Sequence, residues 1–164
     1  MNIFVLDYHP RKAAEYHCDV HVLKMILETA QILSTTHDHF ETGVSGLYKP
    51  THKNHPCSVW ARQSRENYIW TLNLGKWLLY EYEKRYGRVH KTSEVMDRLT
   101  TIPKSLEYSR LTPFAQAMPE IYQREDAVEA YRAYYIGDKA TICKWKTEIP
   151  WWFSKNDQKP AKLA

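Results

Sequence analysis

Apolar positions along this 164-residue chain recur at helical spacing almost throughout, and the pattern predicts an all-α protein. Near the start, "NIFVLD" is a short apolar segment, either a strand or an extended arm laid on the core. Pro10 suits the first turn of a helix, and apolar positions then persist to about Thr36. Asp19 is a candidate cap for a second helical piece, so one helix or two is open over this stretch. From His37 to His55 runs a loop rich in Gly, Thr, His and Asp, ending "YKPTHKNHP". Pro56 opens a second long helix, which Gly87 closes as a C′ residue. Thr92 or Ser93 caps a brief helix to about Leu99, and prolines 103, 113 and 119 mark an irregular connection. A last helix is predicted from about Asp126 to Lys146, after which "EIPWWF" folds back. The expected architecture is a single domain over residues 1–164: a compact helical bundle with two long helices, one long loop and an aromatic C-terminal segment.

The first long segment, "HCDVHVLKMILETAQIL", interrupts its apolar run in a regular way. At about 100° per residue, His17, His21, Lys24, Glu28 and Gln31 fall within an arc of roughly 80°, and Thr35 continues the line. Valine, leucine, isoleucine and methionine cover most of the remaining circumference. A helix apolar nearly all round is a buried one, so its polar stripe either faces solvent or lines a cleft. Two histidines, a lysine and a glutamate set among hydrophobes favour the cleft, and they make Glu28 the acid–base candidate. A rival reading takes His17 and His21, four residues apart, as metal ligands. With Glu28 and the loop histidines they would serve a metal-dependent nucleotide hydrolase.

Composition changes this picture modestly. A net charge of +4 permits a polyanionic partner without requiring one. Twelve tyrosines and six tryptophans supply rings for a core and also surfaces on which nucleobases can stack. In "THKNHP", His52, Lys53, Asn54 and His55 precede the second helix, where free backbone N–H groups favour an anion; the same residues also suit an ordinary turn. Arg62 and Arg65 follow one turn later. In "KWKTEIPWWF", basic residues interleave with Trp145, Trp151 and Trp152, a pattern that suits a nucleic-acid groove or a plug over the core. The three cysteines form no CxxC pair, which argues against a disulfide framework and a thiolate zinc site. No charged leader with a long apolar stretch and no membrane-length apolar window is present, so a cytoplasmic protein is expected, with no obligate protein partner.

"CDVHVLKMILETAQIL" followed by "NHPCSVWARQSREN" resembles the pyrimidine-dimer DNA glycosylases of the endonuclease V type over about the first 90 residues. The resemblance lies in an Asp-x-His, a Glu seven residues after that His, and a His-Pro turn opening the second long helix. It implies a layered helical fold with the N-terminus threaded into the core beside the acid. It also implies cofactor-free chemistry in which the α-amine of the first residue attacks C1′ of a damaged or modified pyrimidine nucleotide in double-stranded DNA. An imine forms, and strand cleavage by elimination is open as a second step. On this chain Met1 carries the amine, Glu28 takes the carboxylate position and His21 the neighbouring histidine position. Lys24, His52, Asn54, His55, Arg62, Arg65, Trp151 and Trp152 are then expected to face the DNA. An α-amine in a peptide titrates at about 7.7–8.0, low enough to supply free nucleophile near neutrality.

This chain also departs from the family pattern. Asn2 is too large for efficient removal of the initiator methionine, so Met1 itself must serve. The arginine that precedes the acid in dimer-specific members is Leu27 here, and the arginine three residues after it is Gln31. Without those phosphate contacts, a modified or damaged base other than a dimer becomes credible. The third reading is a non-catalytic nucleic-acid-binding module, in which the stripe is only a contact face.

Overall fold

In a computed structural model describing residues 1–106 and 110–153, the expected all-α architecture is present, with no strand among the described residues. The domain expected over 1–164 is followed through Phe153, and residues 154–164 lie outside the described set. The "NIFVLD" segment is the extended arm and not a strand: Ile3, Phe4, Val5 and Leu6 are each at most 4% exposed. Burying each such side chain contributes about 1.5–3 kcal/mol, so the arm is held by its own apolar residues.

Two helices follow the arm, with a break where continuity was the other possibility. Helix α1 spans Pro10–Tyr16 and α2 spans Asp19–His39. Between them His17 and Cys18 are extended. The carbonyls freed at the end of α1 find a distant donor: Arg85 donates to the Glu15 carbonyl at 3.0 Å and to the His17 carbonyl at 2.8 Å. That guanidinium is itself fully buried and paired with Glu81 at 2.9 Å and Asp19 at 3.1 Å.

The second long helix is likewise divided, into α3, Pro56–Ala61, and α4, Arg65–Tyr86. Ser64 is extended and accepts the Asn67 N–H, while the Asn67 side-chain amide donates to the Trp60 carbonyl at 2.8 Å. One residue thus caps the new helix and the next turn closes the old one. Gly87, at φ 66°, ends α4 in the left-handed conformation predicted for it. Helix α5 runs Ser93–Arg98.

The last helix, α6, spans Ala127–Tyr134 and continues only as a π turn to Lys139, short of the predicted Lys146. The chain beyond it is committed elsewhere. The Lys144 carbonyl accepts the Asp19 N–H at 2.8 Å, and the Lys146 N–H donates to the Asp19 carboxylate.

Helices α2 and α4 form the main pair, and α1 also packs on α4. They approach closely at Gly75, where a Cβ would lie 3.0 Å from the Thr29 methyl and nearer still to Met96. The principal core gathers the arm, α1, α2, α4 and α6 around Phe4, Ile26, Tyr131 and Tyr135. A second cluster under the long loop joins Leu33, Tyr68, Leu72, Met96 and Leu99. All three cysteines are free and buried. Among the described residues no helix is long and apolar enough to cross a membrane.

Candidate active site at the N-terminal amine

The polar stripe of α2 lines a buried junction with the arm. Glu28 is 7% exposed, and its Oε2 accepts the backbone N–H of Asn2 at 2.8 Å. The α-amine of Met1 lies 3.6 Å from the same oxygen, close enough to pair electrostatically, while the Met1 side chain is 2% exposed. Lys24, one turn earlier on α2 and well exposed, brings its Nζ to 3.5 Å from Oε1. One carboxylate is therefore flanked by two cations, the Met1 amine at the start of the arm and Lys24 at the surface.

Asn2 fixes the amine in this position. Its Nδ2 donates to the Ala117 carbonyl at 2.8 Å, and its Oδ1 accepts from the Ile3 N–H at 2.8 Å and from the Cys57 thiol at 3.4 Å. Burial pushes that thiol up to about 11, so it stays protonated and able to donate. The Tyr131 hydroxyl, which donates to Ala115, lies 3.2 Å from the same Oδ1. The Met1 side chain rests against α3, with Ser58 Oγ 3.6 Å from its sulfur. Reading the sequence alone misses Asn2, Cys57 and Tyr131. The available signal was a polar residue at the second position of an otherwise apolar arm.

His55 is the histidine beside this pair. It caps α3, its Nδ1 accepting the Cys57 N–H at 3.2 Å. That bond leaves the proton of the neutral ring on Nε2, so His55 offers a donor there. Its titration is held below the usual histidine value, first by burial and then by the positive charges of the Met1 amine and His52, with Glu28 opposing them. His52 sits in the left-handed region at φ 49° and shares a 2.7 Å hydrogen bond with Thr51. The loop bearing these residues is tied to α2, because the Thr51 N–H donates to Thr35 Oγ1 at 3.1 Å and Lys53 pairs with Asp38 at 2.7 Å. Arg62 secures it from the other side, donating to the Lys53 carbonyl at 2.6 Å. Asn54 is exposed in that loop, and Arg65 is half-buried in the first turn of α4.

Three expectations fare differently. His21, expected beside the acid, shares a 2.6 Å hydrogen bond with Tyr135 and stacks on Phe4 at 4.5 Å. It stands two turns of α2 before Glu28, with its ring committed to the core. His17 belongs to the break and not to α2, so the i, i+4 pairing with His21 does not form. It is fully buried, donates from Nδ1 to the Ala13 carbonyl and leaves Nε2 without a partner. Among the described residues no three His, Cys, Asp or Glu side chains converge to hold a metal ion. Trp151 and Trp152 gather elsewhere, around the Arg132 guanidinium at 5.6 and 5.2 Å, with Trp152 edge-on to Tyr16 of α1.

No protein-family model, curated protein or solved structure matches this chain.

Proposed function

We propose that this protein is a DNA glycosylase that uses the Met1 α-amine as its nucleophile on a damaged or modified pyrimidine in duplex DNA, with strand-cleaving lyase chemistry completing the reaction. The observation supporting this reading is the amine itself, held 3.6 Å from a buried carboxylate by a residue whose side chain is 2% exposed. After the amine loses a proton, its lone pair forms a bond to C1′ as the glycosidic bond breaks. The electron pair leaves with the base, which takes up a proton. After loss of a second amine proton, the nitrogen lone pair forms a double bond to C1′ as the ring C1′–O4′ bond breaks and O4′ takes up a proton. The product is a protonated imine, and the Glu28 carboxylate offsets its charge. Removal of a C2′ proton sends its electron pair into the imine, and the resulting enamine returns that pair to form the C2′–C3′ double bond and expel the 3′-phosphate. Within this scheme Lys24 and His52 meet phosphate, while His55 donates from Nε2. His21 supports the arm through Phe4 and has no direct part.

A second reading is a nucleic-acid-binding module in which the Met1–Glu28 pair is only an anchor. It is favoured by the pairing itself, because an amine held 3.6 Å from Glu28 on a residue with a buried side chain also serves to fix the arm.

Borohydride trapping separates the two. The protein is mixed with duplexes carrying a thymine dimer, an abasic site or a hydroxymethylated pyrimidine, and the adduct is mapped by peptide mass spectrometry. A covalent adduct on Met1 is expected. Glu28→Gln keeps an acceptor for the Asn2 N–H and hence the fold, yet turnover should fall by more than about 10²-fold. Salt-dependent binding without an adduct on any duplex would leave the binding module standing.

A further inference from the structure

Helix α2 presents a row of large apolar side chains to solvent right beside the buried junction. Val20, Leu23 and Leu27 are 42%, 45% and 38% exposed, and they follow one another at helical spacing. Leu27 immediately precedes Glu28. The turn after α4 extends the row: His90 accepts the Thr92 N–H on Nδ1 and is hydrogen-bonded to the Leu23 backbone, which holds Val89, 69% exposed, on the same side. The ridge is bordered by cations, Lys24 on α2 itself and the exposed Arg88 and Lys91 on either side of Val89 and His90.

We infer that this ridge is the surface that enters duplex DNA, with Leu27 acting as a wedge that unstacks the step beside the nucleotide drawn toward Met1. The inference rests on the glycosylase reading for its geometry, although the fluorescence arm of its test does not depend on imine formation. The physical case is one of complementarity. An apolar row bordered by ammonium and guanidinium groups matches a groove whose floor is stacked base edges and whose walls are phosphates. Chemistry at C1′ of a paired nucleotide requires that nucleotide to leave the stack, and an inserted apolar side chain fills the gap it leaves.

The experiment uses the full chain and a duplex carrying one abasic site with 2-aminopurine at the neighbouring position, compared with the same abasic strand alone. The wild-type protein should raise 2-aminopurine fluorescence on binding, reporting unstacking. Leu27→Ala should lose most of that rise and lower the ratio of duplex to single-strand borohydride trapping at least tenfold, with Leu23→Ala intermediate. Both positions are solvent-facing and alanine is the better helix former, so the variants fold. Should the wild type bind and unstack the duplex through Leu27 without any adduct, the wedge stands and the glycosylase reading falls. If Leu27→Ala matches wild type in fluorescence and trapping ratio, the wedge is overturned. A solution dimer that Leu23→Ala and Leu27→Ala dissociate, with DNA binding unchanged, would also overturn it and reassign the ridge to self-association.

Discussion

At the scale of single residues, the site depends on how rigidly an amine can be held at the end of a chain. A terminal residue is ordinarily free, and here two constraints remove that freedom: the buried apolar run behind it and the four side-chain contacts of Asn2. Asn2 also keeps Met1 in place chemically, since a small residue there would invite removal of the methionine and move the amine by one residue. Asn2→Leu retains the methionine and a similar volume but leaves the Ala117 carbonyl without its donor. Buried groups left unpaired in this way cost about 1–3 kcal/mol, so some loss of stability is expected. The diagnostic result lies elsewhere. At saturating abasic duplex, single-turnover trapping should slow at least about tenfold, equivalent to 1.4 kcal/mol of barrier, with duplex affinity little changed. Intact mass confirms that Met1 is present. An unaltered trapping rate would show that the amine finds its position without Asn2.

At the scale of elements, the two helix breaks decide which stripe residues share a face. Ser64 is fully buried and accepts the Asn67 N–H, so Ser64→Ala should destabilise the protein by about 1 kcal/mol, read as a lower urea midpoint with unchanged slope. An unmoved midpoint would assign the break to the Asn67 side chain alone. Helix starts at Pro10 and Pro56 and the left-handed stop at Gly87 are readable from the chain because their causes are local. The breaks are harder to read, because the apolar period runs straight through them. Arg85 and Asp19 satisfy the exposed backbone at one, and the short end of α6 is likewise set by Asp19 pairing with Lys144 and Lys146. No window of sequence contains both partners. The site divides in the same way. Glu28 is legible as a carboxylate in an apolar helix, whereas the exchange of roles between His21 and His55 depends on Tyr135 and Phe4 arriving from opposite ends of the chain.

At the scale of the whole molecule, histidine burial couples stability to pH and, through the arm, couples the site to stability. His17 is enclosed completely, and burial drives its titration down to about 3. Burial also lowers His37, His55 and His90. In the unfolded chain a histidine protonates at about 6.5, so between that pH and 3 the unfolded state binds the extra proton that folded His17 refuses. Stability is therefore complete above about pH 6.5 and declines as the solution is acidified, by about 1.4 kcal/mol per pH unit for His17 alone once well below 6.5. From pH 7 to pH 5 that amounts to about 2 kcal/mol. His17→Gln retains a donor for the Ala13 carbonyl and carries no titrating ring. Urea unfolding at pH 7 and pH 5 should show its acid loss smaller than that of wild type by this amount. Equal losses in the two proteins would assign the acid sensitivity to other groups. Phe4 packs edge-on to His17 at 6.1 Å and stacks on His21, and it lies three residues from the Met1 amine. Protonating His17 thus loosens the contact that threads the arm into the core. Trapping at Met1 should fall on the same acid limb as stability in the wild type, and in His17→Gln both limbs should move together to lower pH.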